Sequence, residues 1–477
     1  MKDVVIIGGG IIGCSIAYEL SHYEGSVVLV EKNSDIADEV SMANSAIVHA
    51  GYDPEDGTLK AKLNVRGAQL MKQWCAELEE EYQTCGAFVA ACGEGEELLL
   101  HRLYERALRR NVKVQLLDKE AAIKLEPNLS DQVTMVMNVP DTAVITPWNF
   151  ALSALETAVV NGCQVYLNSP VTAIQKLSKG YAVQAGKRRI EARYVINAAG
   201  LYSDQIDQMA TGIKHFTIQA RKGEYFVLAK DARNFISRVI YPVPGPKGKG
   251  VLAVPTVHGN ILIGPNRNDT DREDHATDAE GLAMVRSQIT HTMKNVPMQE
   301  TIRTFSGLRP AGNHGDFYIR EEVESAGFIN VGCIDSPGIA SAPAIGEYVR
   351  QLIEKKHPLK RKTHYKKCKP LERMADLSMT DKQSMIQQDP RYGHIVCRCE
   401  KISEGEIIAA IQRPIPAKTI KAIKKRIRPG MGRCQGGFCE PLVTDILSKT
   451  MNVDMCDICY DQPETKMFVG HTKEEQL

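Results

Sequence analysis

The sequence predicts an α/β protein. It has a Rossmann-like dinucleotide-binding domain, an α+β domain on an antiparallel sheet, and a small helical C-terminal domain. Three observations predict it. Gly8, Gly10 and Gly13 form G-x-G-x-x-G between a strand-like apolar run and a helix-like segment. Residues 216–265 alternate and are rich in β-branched and aromatic residues. Six of the 13 cysteines lie past residue 395 of the 477-residue chain.

In order along the chain, Val4–Ile7 is a short continuous apolar run, which suits a strand buried on both faces. Ile11–Leu20 carries helical periodicity, and Val27–Val30 is a second buried strand closed by Glu31. Thr58–Glu80 reads as a long amphipathic helix. Pro147–Val160 reads as a helix with Thr146 as cap and Pro147 at its first position. Several strands follow in residues 164–198, then the antiparallel block at 216–265, a helix at 280–296, and strand, glycine loop and helix across 326–353. The organisation expected is a discontinuous dinucleotide-binding domain (1–85, 140–210 and 326–354) interrupted by an α+β domain (86–139 and 211–325). Residues 355–390, with eight basic residues in 355–369 and prolines at 358 and 370, read as a solvated, flexible linker to a domain at 391–460.

Composition narrows the class. Hydrophobic residues make up 43% and charged residues 25%, as in an ordinary globular protein. With 59 basic and 58 acidic residues, no nucleic-acid partner is expected. No run of 18 apolar residues occurs, so no membrane span is expected. Only Lys2 precedes Asp3 in the first segment, which argues against a secretory signal and for the cytoplasm, with any membrane association made through a partner.

The glycine motif has a physical reading. Gly8 permits the tight turn, Gly10 lets backbone approach a pyrophosphate, and Gly13 lets helix pack on strand. The pyrophosphate then meets free N–H groups at the helix start. Glu31, about 20 residues on, is placed to accept from an adenosine ribose. The motif alone does not separate FAD from NAD.

Four cysteines form the second motif: Cys397-x-Cys399, 34 residues, then Cys434-x4-Cys439. Ser403 and Glu406 form a capping box opening a helix, and Lys418–Arg428 reads as a second, basic helix. The glycines at 430, 432, 436 and 437 suit a loop that wraps a 2Fe–2S cluster. A structural zinc site is the alternative, although zinc favours C-x2-C pairs. Cys456-x-x-Cys459 has no second pair to complete a metal site, which leaves either no catalytic role or a role at a partner interface.

Other segments carry a resemblance. Tyr194–Asp204, containing Asn-Ala-Ala-Gly with Ala199 and Gly200, resembles the second FAD-contacting segment of two-dinucleotide-fold flavoproteins. Phe328–Ile339, ending in Gly338 and Ile339, offers N–H groups suited to the flavin end. Over about residues 1–352 the chain resembles the D-amino-acid-oxidase-like superfamily of FAD oxidoreductases. The segment Asn44, Ser45 through His49 to Gly51 looks like that of FAD-dependent glycerol-3-phosphate dehydrogenases and L-2-hydroxyglutarate dehydrogenases. The cysteine segment resembles bacterioferritin-associated-ferredoxin-like domains, and the domain order resembles the anaerobic glycerol-3-phosphate dehydrogenase large subunit.

This resemblance implies FAD and a 2Fe–2S cluster, a small anionic substrate, further redox subunits or an acceptor protein, and an oligomer. It implies a dehydrogenase acting on glycerol 3-phosphate. A departure keeps carboxylates open: Tyr52 and Asp53 follow His49-Ala50-Gly51, where an arginine is common. The alternatives are an L-2-hydroxyacid dehydrogenase, an amino or imino acid dehydrogenase, and an electron-transfer flavoprotein subunit. His49 is the first candidate base, with a purely structural histidine as the alternative, and His314 is the second. Arg309, in Ser-Gly-Leu-Arg-Pro, is the candidate anion fork, while Arg221 and Lys222 read as structural.

Overall fold

The computed structural model describes residues 1–245 and 250–470. Lys2–Ile7 is the central strand of a parallel core. It lies between Val27–Val30 and Arg188–Asn197, and Val4 to Ile7 pair with Val27–Val30 on one side and Tyr194–Asn197 on the other. Gln164–Tyr166 extends the first side and Phe328–Gly332 the second, both parallel to their neighbours. Every residue of Val27–Val30 and of Val4–Ile7 is buried, which is why these strands read as unbroken apolar runs. The chain leaves Lys2–Ile7 to one side and later returns on the other, so the crevice at the strand ends is a topological switch point.

Helices Ile11–Ser21, Pro147–Val160 and Gly338–Glu354 pack on this sheet, and Leu59–Leu78 packs on the last of them. Thr58 caps Leu59–Leu78, accepting from Ala61 N–H at 3.1 Å. Thr146 precedes Pro147 but makes no side-chain cap; its hydroxyl pairs with His258 Nε2 at 3.1 Å. The helix expected at 280–296 is shorter, Ala279–Gln288 followed by one 3-10 turn. Tyr318–Glu321 does not stay with the antiparallel block. It pairs with Phe328–Gly332 and edges the dinucleotide sheet, because a short turn at 323–325 folds the hairpin back.

The second sheet has nine strands. Its spine is Ile218–Leu228, paired antiparallel along its whole length with Thr301–Gly312. Beyond it run Ile261–Gly264, Leu252–Pro255 and Val239–Pro242, and then Ala87–Ala91, Met135–Val139 and Gln115–Asp118. One contact is parallel, between Val239–Pro242 and Ala87–Ala91, where two separated pieces of the chain are stitched together.

The C-terminal unit is small and helical. The hairpin Ile395–Cys397 and Ile402–Ser403 leads into Glu404–Ile411, Ile420–Ile427 and Glu440–Met451. The capping box of Ser403 and Glu406 is present. Residues 355–390 are not the free connector that their charge suggested. Lys360 O accepts from Glu24 N–H at 2.8 Å, and Lys362 N–H donates to His22 O at 2.9 Å. Tyr365 stacks on His22 with ring centroids 4.2 Å apart. The segment also folds a helix, Met379–Gln388. The physical reason is that Leu359 and Tyr365 lie on the main core, so the basic side chains reach solvent from a pinned backbone.

The unit is docked by charge. Arg426 has a fully buried side chain and donates to Asp35 at 2.8 and 3.1 Å. Lys425, also buried, reaches Asp35 at 2.9 Å and pairs with Asp38. Burial alone would raise the Asp35 pKa, but these two cations hold it well below the usual carboxylate range. Trp148 Nε1 donates to Lys425 O at 3.0 Å across the same face.

Candidate functional site

A cavity of about 1260 Å³ opens at the switch point and runs from the dinucleotide sheet to the large antiparallel sheet. That exceeds a drug-sized pocket and suits a long cofactor plus a small substrate.

Its first wall is the glycine turn. Gly8 has φ +107°, and a Cβ there would lie 2.4 Å from Ala198 O. A Cβ on Gly13 would lie 2.0 Å from Gly8 O, so helix and strand touch backbone to backbone. Gly10 differs: its Cβ would meet only Ser41 Oγ, at 3.2 Å, and otherwise faces the cavity. Glu31 ends its strand with both oxygens engaged, accepting from Gly9 N–H at 2.6 Å and Asn33 N–H at 2.9 Å. A carboxylate has about four lone-pair sites, so capacity remains for ribose hydroxyls. Burial raises the Glu31 pKa against these hydrogen bonds.

Ala199 and Gly200 form the second wall. A Cβ on Gly200 would find no atom within 4 Å, which leaves room for a ligand. Behind them Asn197, fully buried, donates to Ser203 O at 2.7 Å and to Asn330 Oδ1 at 2.8 Å, fixing the strand end. Gly338 and Ile339 open the 17-residue helix Gly338–Glu354, whose first turn lines the cavity from the third side. Asn44 lines it too, but its amide is spent locally. Nδ2 donates to Val40 O and Ser41 O, and Oδ1 accepts from Ala46 N–H at 2.7 Å. That holds Ala46 at φ +61°, turning the chain toward His49. Ser45 reaches Tyr225, as described next.

At the far end stand His49 and Arg309. His49 is 9% exposed, and its Nδ1 lies 3.1 Å from the Tyr241 hydroxyl. Arg309 sits opposite Arg221 on paired strands, with Nη2 at 3.4 Å from Asn266 O. Among the described residues no carboxylate lies within 4 Å of its guanidinium. Arg221 is instead paired with Asp269 at 3.2 Å, and Lys222 with Asp274 at 2.9 Å. Gly223 makes the room, since a Cβ there would lie 2.3 Å from Arg309 Nη2. Tyr225 is buried beside it; burial pushes its phenol pKa up, partly offset by Arg309 and Ser45 hydrogen bonds.

His314 is not part of this site. It is exposed, its Nε2 contacts His215 O at 3.2 Å, and its ring lies against Tyr318, because the turn after Thr301–Gly312 carries it past the sheet edge. Sequence reasoning missed Ser41, Tyr225 and Tyr241. Ser41 accepts from Ile11 N–H at 2.8 Å at the start of the phosphate helix. The two tyrosines arrive by strand register, for which no local pattern exists.

The four cysteines gather around the loop at 430–439. Cys397 and Cys439 are buried, 2% and 1% exposed, and hydrogen-bonded to each other. Cys399 is exposed, with its sulfur 3.7 Å from that of half-buried Cys434. The hydrogen bond to Cys439 holds the Cys397 thiol at about 6, helped against burial by Gly430 and Glu400 N–H groups. Burial would raise Cys434, but Gly436 and Phe438 N–H groups bring it below its ordinary value. Such donors stabilise thiolate and sulfide alike. No three of the four sulfurs fall within 4.8 Å of one another. Two pairs set apart fit a two-iron cluster, two thiolates per iron, better than one tetrahedral zinc. Cys456 lies on the 3-10 turn Met455–Asp457, and Cys459 follows it in an isolated bridge with Lys466.

The family model described as FAD dependent oxidoreductase matches residues 3–352. This chain belongs to that family. A second model, a BFD-like 2Fe–2S binding domain, matches residues 395–449. FAD and a 2Fe–2S cluster are therefore the cofactors, and the walls and thiol set described above fit both. The chain is 41% identical over 484 residues to a glycerol 3-phosphate dehydrogenase of Caloramator mitchellensis, with all of both chains covered. It is 31% identical to a mitochondrial L-2-hydroxyglutarate dehydrogenase of Nematostella vectensis, over 55% of this chain and 62% of that one. The dithionite-reduced, FAD-bound L-alpha-glycerophosphate oxidase of Mycoplasma pneumoniae superposes with a TM-score of 0.72 at 30% identity, covering 76% of this chain and 97% of that one. Among the described residues no helix is long and apolar enough to cross a membrane.

Proposed function

We propose that this oxidoreductase oxidises glycerol 3-phosphate to dihydroxyacetone phosphate and sends the electrons through its own cluster to a separate redox protein. The observation that carries the reading is Arg309, a guanidinium in the cavity with no carboxylate partner among the described residues. Resemblance to the Caloramator dehydrogenase over the full length supports a phosphate-bearing substrate. FAD, when bound, accepts a hydride, and a 2Fe–2S cluster accepts electrons singly.

The chain supplies the rest. Arg309 holds the phosphate with a planar fork, and Tyr225 and Ser45 hold Arg309 and its surroundings. His49 takes the hydroxyl proton on Nε2, with Nδ1–H donated to the Tyr241 oxygen to fix ring and tautomer. The substrate C2–H leaves as hydride and its O–H proton goes to His49, so two electrons and two protons are accounted for. Glu31, Gly10, Gly200 and the helix at Gly338 would hold the dinucleotide. Cys397, Cys399, Cys434 and Cys439 would hold the cluster.

The test is product formation by the holoprotein with an artificial one-electron acceptor under anaerobic conditions. Dihydroxyacetone phosphate from glycerol 3-phosphate, with no 2-oxoglutarate from L-2-hydroxyglutarate, is expected. The reverse pattern would move the reading to a carboxylate substrate, for which Arg309 is equally shaped.

A further inference from the structure

A second cavity, about 730 Å³, lies where the dinucleotide domain, the antiparallel sheet and the cluster domain meet. It backs onto the first one: Ala43, Asn44 and Gly307 line both. Its far wall is the cluster loop, through Met431 and Gln435. Trp148 and Phe305 give it flat apolar sides.

Its charges do not balance. On the helix Ile420–Ile427, Lys421, Lys424 and the following Arg428 lie three to four residues apart and share the cavity face. Lys421 is paired with Asp461 at 2.5 Å and Arg428 with Glu400 at 3.0 Å. Lys424 is only 3% exposed. Among the described residues its ammonium has no carboxylate within 4 Å, and its hydrogen-bond partner is the Tyr460 hydroxyl at 3.4 Å. Glu440 acts on it from beyond ion-pair distance. Arg303, an exposed residue of the strand Thr301–Gly312 that also lines the cavity, has no carboxylate within 4 Å among the described residues either. Burial first, and then the Arg303 charge, bring the Lys424 pKa down to about 8, against Glu440 and Cys439, which raise it from beyond ion-pair distance. Buried ammonium groups without a carboxylate partner are costly, and an anion entering the cavity would offset that cost.

We infer that this cavity is a second, non-substrate site for a phosphate-headed ligand with a planar apolar body, its head held between Lys424 and Arg303 and its body between Trp148 and Phe305. Because the walls come from three units, an occupant would couple docking of the cluster domain to the flavin side.

The experiment is calorimetric titration of the full-length holoprotein with inorganic phosphate and, separately, AMP. It is done in an Arg309→Met background, so that phosphate in the first cavity is not counted. The Lys424 effect is read within that background, and so it does not depend on what Arg309 does. Both probes are expected to bind, AMP more tightly, and Lys424→Met to weaken each by about tenfold or more. Phosphate is expected to raise the melting temperature of the Lys424 protein and not that of Lys424→Met. Should Lys424→Met lose its cluster absorbance, exposed Arg303→Met is read in its place, with the same weakening expected. Unchanged dissociation constants in a folded variant, or no binding of either probe to the Lys424 protein, would overturn the inference. Phosphate and AMP binding equally, with both lost on substitution, supports the anion site and removes the planar body from it.

Discussion

Arg309→Met separates binding from folding. In the structure the guanidinium gives the fold two hydrogen bonds, a long one of 3.4 Å to Asn266 O and one to the buried Tyr225 hydroxyl, and it has no carboxylate partner among the described residues. Its loss should cost about 1–2 kcal/mol of stability, the value of two hydrogen bonds to neutral acceptors. Toward a bound phosphate the same group would make two charge-assisted bonds in a water-poor cavity. At about 1.5–2 kcal/mol each, the loss is about 3–4 kcal/mol, or roughly 150- to 900-fold in kcat/KM. Anaerobic stopped-flow reduction of the flavin against substrate concentration gives the dissociation constant and the limiting rate separately. The constant should carry most of the loss, and added guanidinium should restore part of it. A variant with unchanged affinity, or one whose melting temperature collapses, would refute the assignment.

Further outcomes follow from the same geometry. Cys434→Ser and Cys439→Ser should leave flavin reduction by substrate intact while abolishing reduction of the external acceptor, measured side by side on FAD-loaded protein. Arg426→Met should weaken docking of the cluster domain by about 3 kcal/mol, the low end for a broken buried pair because Lys425 still serves Asp35, and limited proteolysis within 355–390 should become faster. Glu80 is raised to about 7, mainly by burial and despite a Ser153 hydrogen bond. Its folded pKa lies above its ordinary 4.5, so its contribution is fully present below pH 4.5 and is lost as pH rises through 7. Glu80→Gln should therefore stabilise the protein at pH 8 by about 2 kcal/mol, after allowance for partial exposure, and flatten the fall in melting temperature between pH 5 and 8.

What was legible in the sequence was what local pattern controls. The buried strands Val4–Ile7 and Val27–Val30, the glycine turn and the capping box at Ser403 each arise from residues close together in the chain. Their physics can be worked out from spacing alone. The cysteine spacing was legible for a similar reason, since each pair is local: Cys397 and Cys399 on one hairpin, Cys434 and Cys439 on one glycine loop. His314 shows the opposite case. A histidine after a glycine near Arg309 looked like a second base, but where its ring points depends on how one strand ends. Tyr225 and Tyr241 were hidden because they meet Arg309 and His49 only through sheet register. The linker was misread because eight basic side chains announce solvent and say nothing about the backbone beneath them. Leu359 and Tyr365, the residues that pin it, were too sparse to form a period.

The central claim is that substrate electrons enter at a flavin and leave through this chain's own cluster. Anaerobic addition of glycerol 3-phosphate to the purified holoprotein, followed by visible and electron paramagnetic resonance spectra on the same sample, tests it most directly. The account predicts loss of the flavin band together with the signal of a reduced 2Fe–2S cluster, and neither change with L-2-hydroxyglutarate. A flavin that stays oxidised, or a flavin that is reduced while a cluster that dithionite can reduce remains oxidised, would contradict it.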